Sequence, residues 1–454
     1  MKHAHLVGIK GVAMAALAVY LTQSGIKATG SDVEEDFPTK EELKGIRVFT
    51  GFDGSRIQTI KPDVVYYTGA HGGRENPEVV AALQANIQAL PHGQALGSMM
   101  KGSRQIVVAG SHGKTTTSAM IASLLSHAGA KPSYAIGCGS ITGMGAAGHK
   151  GKGDWFVAEG DEYITDPGHD PTPRFLWLEP DILVVTNIDY DHPDAYTDLA
   201  SVQSAFVTLA KKSKEIIVNA DDANSRVLES ELTYGFSPAS NFWITHVGVG
   251  EERTFFALEE RGMKLGEFTL KVPGRHNVLN AVAAMIAAHQ AGVDWSALKR
   301  GILEFTGTKR RFEKIGERRG VIFYDDYAHH PAEIRATLAA ARSWYADRRI
   351  IVVFQPHTYS RTKALLTEFA QSFGDANVVI LTDIYASARE THSLGIDGTT
   401  LATEAAKHHG NVLYAKDKST VSSVISKTLE ASDVVICMGA GDIYNWEKEI
   451  YESY

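Results

Sequence analysis

The stretch Gln105-Ile106-Val107-Val108-Ala109-Gly110-Ser111-His112-Gly113-Lys114-Thr115-Thr116-Thr117 runs an apolar strand straight into a glycine-rich turn and then a helix to about His127. An unbroken apolar run this short, bounded by glycine, suits a parallel strand covered on both faces. The turn lets backbone N–H groups point at phosphate oxygens, and the helix N-terminus adds positive potential. Lys114 can reach the β- and γ-phosphates, and the Thr115 hydroxyl suits Mg²⁺. The spacing is G-x-x-G-K-T, with Val108 where the first glycine of the full phosphate-loop pattern would stand. Gly110, Ser111, His112, Gly113, Lys114, Thr115 and Thr116 are therefore candidate nucleotide-triphosphate residues.

Working outward, strands are expected over Trp155 to Ala158, Ile182 to Thr186 and Glu215 to Val218, and a helix over Asn277 to Gln290, in a region starting near Gly102 and fading near Thr308. Two patches follow these strands: Glu159-Gly160-Asp161-Glu162, and Asp189-Tyr190-Asp191-His192-Pro193-Asp194. Ligands of an open parallel sheet sit outside the carboxyl ends of its strands, so both patches should converge on the Lys114 turn. Carboxylate and imidazole beside phosphates make a Mg²⁺ site; the bland alternative is a pair of solvated acidic loops.

Residues 1 to about 100 also alternate strand-like runs (His5 to Ile9, Lys27 to Gly30, Val64 to Thr68) with a helix-like run, Val12 to Ser24. Gly8, Gly11 and Ala13 form a G-x-x-G-x-A turn, and Asp32 closes the second strand. Such a turn holds a diphosphate at a helix N-terminus, as in NAD or a UDP-sugar, or it is a tight turn that binds nothing. Lys10 stands where a third glycine would be the easy choice. From Arg310 to Tyr454 strands fit Val321 to Tyr324, Ile350 to Phe354, Val378 to Leu381 and Val434 to Met438. Asp325-Asp326-Tyr327-Ala328-His329-His330-Pro331 and Gln355-Pro356-His357-Thr358-Tyr359-Ser360-Arg361-Thr362 close two of these, denser in titratable groups than folding requires. Between the regions, the amides of Asn277 and Asn280, one helical turn apart, suit an adenine edge, or Asn277 caps the helix; Arg310-Arg311-Phe312 is either functional or a solvated hinge.

At 454 residues the chain exceeds the roughly 250–300 at which single cores stop growing, and three α/β domains in series are expected: 1–101, 102–309 and 310–454. A net charge of −8 with no basic run argues against nucleic acid. Cys138 and Cys437 lack metal-type spacing and read as buried thiols of a reducing compartment. No apolar run reaches the roughly 18–20 residues that span a bilayer, and Met1 opens directly onto a strand, so a cytoplasmic protein without membrane partner is expected.

Read in order, the segments GIKGVAM, TGSD, NPE (76–78), GSHGKTTT, EGDE, TNIDYDHPD, GRHNVLNA, KRRFE, YDDYAHHPAEI, FQPHTYSRT, DIYASARE and GAGDIY resemble the Mur ligases of bacterial cell-wall synthesis over essentially the whole chain. The resemblance implies a Rossmann-like first domain that holds the UDP end of UDP-N-acetylmuramate, a central phosphate-loop ATPase domain, and a Rossmann-like C-terminal domain that brings the amine. ATP and Mg²⁺ are the implied cofactors. Lys114 would hold phosphates; Thr115, Glu159 and His192 would bind Mg²⁺; His276, Asn277, Arg311 and Asp326 would serve the nucleotide. Tyr327, His329 and Arg361 would position the amino acid and the acyl phosphate, with hinges near Gly102 and Thr308 to Arg310. Within the family the third domain is similar to members that add L-alanine, although Thr358 stands where some of them carry a second arginine. The stretch Asp166-Pro167-Gly168-His169-Asp170-Pro171-Thr172-Pro173 is similar instead to members that recycle an intact tripeptide. Rival readings are a nucleotide-hydrolysing switch or assembly protein and, from the first domain alone, a dehydrogenase.

Overall fold

The computed structural model of the chain describes residues 1–35, 37–190, 192, 194–250, 252–386, 390 and 392–454, with the backbone alone at 453. Asp191 and Pro193 of the second acidic patch, and Ser387, Ala388 and Arg389 of DIYASARE, lie outside the described residues.

Three large sheets and one two-stranded hairpin are present among the described residues. The first has five parallel strands in the order Arg47–Thr50, Lys27–Asp32, His3–Val7, Val64–Tyr67, Gln88–Pro91. Its strand order reverses between His3–Val7 and Val64–Tyr67, the place where a doubly wound sheet opens a crevice.

The second sheet has ten strands, with Arg104–Ala109 central between Ile182–Val185 and Trp155–Gly160, both parallel to it. Ile106, Val107, Val108 and Ala109 are fully buried, which is why the run carries no polar residue. Beyond the expected strands this sheet gains Ser133–Ile141 and Gly145–His149 at one edge, and Leu232–Gly235, Phe242–Gly250, Arg253–Glu260 and Met263–Leu270 at the other.

The third sheet has six strands in the order Glu313–Arg318, Val321–Asp326, Val434–Met438, Ile350–Phe354, Val378–Leu381, Val412–Tyr414, parallel except for the first hairpin. Cys138 and Cys437 are buried, and neither forms a disulfide among the described residues.

Contacts divide the chain into two compact units: Met1–Gly248 with Phe255–Leu270 and Asn277–Thr306, and Val249–Thr254 with Lys271–His276 and Gly307–Tyr454. The first two sheets thus belong to one unit, and the chain about Gly102 joins elements that already pack together. The reason lies in the helix Val12–Gln23, buried on all sides from Met14 to Leu21. The hairpin Ser133–Ile141/Gly145–His149 lies so close that a Cβ on Gly148 would sit 1.9 Å from the Ala16 carbonyl oxygen. Likewise a Cβ on Gly97, in the helix His92–Met100, would meet the Trp177 carbonyl at 2.4 Å. Glycine is what lets these backbones approach.

Candidate functional site

The turn after Arg104–Ala109 is a preformed cradle. Gly110 and Gly113 take φ of +141° and +83°, and a Cβ on either would strike Thr186 Oγ1 at 2.1 Å or Asn280 Oδ1 at 2.6 Å. The end of the neighbouring strand ties the turn down: His112 N donates to Asn187 Oδ1 (2.9 Å), while Asn187 Nδ2 (2.9 Å) and Thr186 Oγ1 (2.5 Å) donate to the His112 carbonyl. Asp189 N donates to Ser111 Oγ at 2.8 Å. The helix Lys114–His127 starts at once, with Gly113 as its cap.

Lys114 Nζ folds back to donate to the Gly110 carbonyl and pairs with Glu162 Oε2 at 2.9 Å. His192 Nε2 lies 3.6 Å from the other oxygen of Glu162. Thr115 Oγ1 donates to Glu159 Oε2 at 3.2 Å, and Gly137 N donates to Glu159 Oε1 at 2.6 Å. Burial works against the Lys114 charge, but Glu162, Asp161 and Glu159 more than offset it and hold its pKa above the ordinary value. Asp161, in turn, is held well below the usual carboxylate range by Arg174 (2.7 Å) and Lys114, against the opposing effect of burial. Lys114, Thr115, Glu159 and His192 therefore meet at one place; Glu162 of the first patch is buried, whereas Asp189, Tyr190 and Asp194 of the second are exposed.

Among the described residues no three His, Cys, Asp or Glu side chains form a metal cage. Oxygen donors from Thr115 and Glu159 beside a phosphate turn fit Mg²⁺, which takes few protein ligands and completes its shell with phosphates and water.

In the first sheet, Gly8 (φ +79°) and Gly11 flank the turn, with Gly11 capping the helix that carries Ala13. Asp32, buried, accepts from Lys10 N at 2.7 Å, and Lys10 Nζ donates to the carbonyls of Val33 and Glu35, both at 2.6 Å. The lysine in the glycine position thus braces the turn from outside.

In the second unit, Asp326 accepts from Phe312 N and Ala328 N, both at 2.8 Å; burial pushes its pKa up, against the pull of Arg311. The Arg311 guanidinium lies 5.3 Å from the Tyr327 ring centroid. Burial lowers the His329 pKa, opposed by Glu333 at 3.3 Å and reinforced by Arg361. Asp326, Arg311, Tyr327, His329 and Arg361 thus gather at strand ends of one sheet. His276 belongs to this unit and Asn277 to the other. Two alternatives fall away. Asn277 lies inside the helix Arg275–Gln290, accepting from Asn280 Nδ2 at 3.1 Å, so it is not a cap. Arg310 is buried, pairs with Asp325 at 3.2 Å and carries its guanidinium over the Tyr327 and Tyr444 rings, so it is not solvated.

Sequence reasoning singled out neither Glu162, which links Lys114 to His192, nor Asn187, which ties down the turn and whose signal is only that it directly follows a strand end. Asn280, read from the sequence as one of two amides suited to adenine, packs against Gly113 of the turn.

Family models match the chain in series: the Mur ligase family catalytic domain at 3–104, the Mur ligase middle domain at 108–288, and the Mur ligase glutamate ligase domain at 310–441. The chain belongs to the Mur ligase family. Among its relatives, a UDP-N-acetylmuramate–L-alanine ligase of Desulfitobacterium hafniense is 38% identical over 450 residues, covering 97% of this chain and 98% of that protein. The crystal structure of a UDP-N-acetylmuramate–alanine ligase from Thermotoga maritima superposes with a TM-score of 0.86 at 27% identity, covering 100% of this chain and 99% of the other. A murein peptide ligase from Psychrobacter arcticus shares the fold, with a TM-score of 0.70 at 22% identity, covering 100% and 98%. As a Mur ligase the chain is an ATP-dependent, amide-forming enzyme.

Proposed function

We infer that this Mur ligase joins L-alanine to the lactyl carboxylate of UDP-N-acetylmuramate through an acyl phosphate, with ATP and Mg²⁺. The observation that carries the reading is the meeting of Lys114, Glu162 and His192 beside the Thr115–Glu159 pair at the end of the central strand. In this reading residues 1–101 hold the sugar nucleotide at the Gly8, Gly11, Ala13 and Asp32 turn, residues 102–309 hold ATP, and residues 310–454 bring the amine. His276, Asn277, Arg311 and Asp326 serve the nucleotide; Tyr327, His329 and Arg361 position the amine and the acyl phosphate.

A carboxylate approaching the γ-phosphate brings like charges to about 4 Å, which costs about 4 kcal/mol per pair at an effective dielectric of about 20. Lys114 offsets part of this by exchanging Glu162 and its own turn carbonyls for phosphate oxygens. Mg²⁺, held by Thr115, Glu159 and His192, would neutralise the rest. The amide N–H groups at the start of the helix, Gly113 to Thr115, keep the phosphate chain in line for displacement. The amine then attacks the acyl carbon, and the tetrahedral intermediate collapses to amide and phosphate. Water would destroy the acyl phosphate, so residues 310–454 must cover it during turnover.

The test is phosphate release with UDP-N-acetylmuramate, ATP, Mg²⁺ and a panel of amines. Release that depends on L-alanine supports the reading. Dependence on the tripeptide instead would assign the recycling reaction, and release independent of any amine would point to a nucleotide-hydrolysing switch.

A further inference from the structure

The segment Asp166 to Pro173 has no part in the chemistry just described, yet its placement is specific. It forms a hairpin, Ile164–Asp166 against Asp170–Pro173, turned at Gly168 (φ +87°) and locked by Thr165 Oγ1 donating to the Thr172 carbonyl at 2.6 Å. The base of the hairpin lies at the Lys114 site: Arg174 N donates to the Tyr163 carbonyl at 2.9 Å and its guanidinium pairs with Asp161. The tip reaches the first domain. Asp166 Oδ2 accepts from Tyr67 Oη at 3.2 Å and from Arg74 N at 3.1 Å. A Cβ on Gly73 would meet Asp166 Oδ1 at 2.1 Å, and one on Gly69 would meet Pro167 Cδ at 2.9 Å.

The loop gripped in this way, residues 68–76, follows the strand Val64–Tyr67 and forms the far wall of the crevice where the first sheet reverses its order. The near wall is the Gly8 turn, and the two touch: a Cβ on Gly8 would lie 2.4 Å from Thr68 Cγ2 and 3.6 Å from His71 Cδ2. Whatever fixes residues 68–76 therefore fixes the width of the crevice. Asp166 is 1% exposed, and its Oδ1 has no hydrogen-bond partner among the described residues. A buried carboxylate oxygen without a donor is costly. Its contact with Gly73 gives it a purpose, which is to hold the backbone of that loop in one path.

We propose that Asp166, carried on the hairpin, is a positioning residue for the sugar nucleotide: it latches the 68–76 wall of the crevice and registers it against the Lys114 cradle at the hairpin's base. The proposal rests on the sugar-nucleotide reading of the first domain. The test combines steady-state kinetics with calorimetric binding of UDP-N-acetylmuramate in the absence of ATP and amine, on wild type, D166A, D166N and Y67F. D166A is expected to raise both the KM and the Kd for UDP-N-acetylmuramate about tenfold. Its kcat, and its KM for ATP and for the amine, should stay within about twofold of wild type. Y67F, which deletes one oxygen, is expected to raise the same KM about threefold, and D166N, which keeps the shape and an acceptor, to recover most of the affinity. A fall in kcat in step with KM, a rise in all three KM values, or unchanged sugar-nucleotide affinity in D166A overturns the proposal. If D166A fails to fold, unchanged sugar-nucleotide affinity in Y67F overturns it equally. A wild-type chain that gives no heat with UDP-N-acetylmuramate would remove the underlying reading and the proposal with it, whereas wild-type binding with unaltered variants removes only the role of Asp166.

Discussion

Substituting Lys114 and Glu162 singly and together tests whether the cradle is built on their ion pair. The two charges lie 2.9 Å apart with side-chain exposures of 16% and 3%, so solvent screens them little. At an effective dielectric of about 20 their attraction is about 6 kcal/mol, set against a desolvation cost of several kcal/mol per ion. The net worth of the pair is therefore small, but stranding one partner is not, and breaking a buried pair costs about 3–5 kcal/mol. K114M and E162Q should each lower the free energy of urea unfolding by about 2–4 kcal/mol. The double variant should lose clearly less than the sum, a coupling of about 2 kcal/mol. The raised pKa of Lys114 sets the pH for the experiment: its contribution is complete below the unfolded value of 10.5 and is lost as pH rises through the folded one, so a cycle at pH 7.5 reads all of it. Either single variant should abolish phosphate release. K114M should leave UDP-N-acetylmuramate binding intact, because that crevice belongs to another sheet. Additive losses within about 0.5 kcal/mol, or equal loss of catalysis and sugar-nucleotide binding, would refute the reasoning.

Three further outcomes are expected. T115V removes the hydroxyl that faces Glu159 at 3.2 Å, and should raise the Mg²⁺ concentration for half-maximal rate about tenfold with little change in stability; an unaltered Mg²⁺ titration would count against the metal assignment. G148A places a methyl 1.9 Å from the Ala16 carbonyl oxygen and should cost about 1–3 kcal/mol in urea unfolding, whereas wild-type stability would deny the close packing of hairpin and helix. Burial raises the Asp325 pKa from 3.8 to about 7, opposed by Arg310 and helped by Glu313 and Asp326. Between those values the folded state binds more protons than the unfolded, so stability should fall as pH rises from about 4 to about 7. D325N should flatten that slope by up to about 1.4 kcal/mol per pH unit, and an unchanged profile would contradict the assignment.

What could be read from the sequence was what local chemistry dictates. Ile106 to Ala109 had to be a doubly covered strand, and Gly110 to Thr116 had to turn into a helix, because both demands are met within a dozen neighbouring residues. Strand-end topology then sufficed to bring Glu159 and His192 towards Lys114. The hidden features depend on partners distant in sequence. Nothing local marks Glu162, rather than its neighbours in EGDE, as the residue between Lys114 and His192, nor Asn187 as the clamp on His112. The strands from Phe242 to Leu270 alternate weakly because one face is half exposed. The union of the first two sheets rests on glycines 97 and 148 meeting backbones far away in the chain, which no periodicity reports. Asn277 looked like a cap because the helix was expected to begin there; it begins at Arg275.

The central claim, that the sugar's own carboxylate is phosphorylated before the amine attacks, is tested most directly by isotope transfer. UDP-N-acetylmuramate labelled with ¹⁸O in both lactyl carboxylate oxygens is turned over with unlabelled ATP and L-alanine, and the phosphate is weighed by mass spectrometry. The account predicts one ¹⁸O in each phosphate released and one retained in the amide carbonyl. Unlabelled phosphate would contradict it.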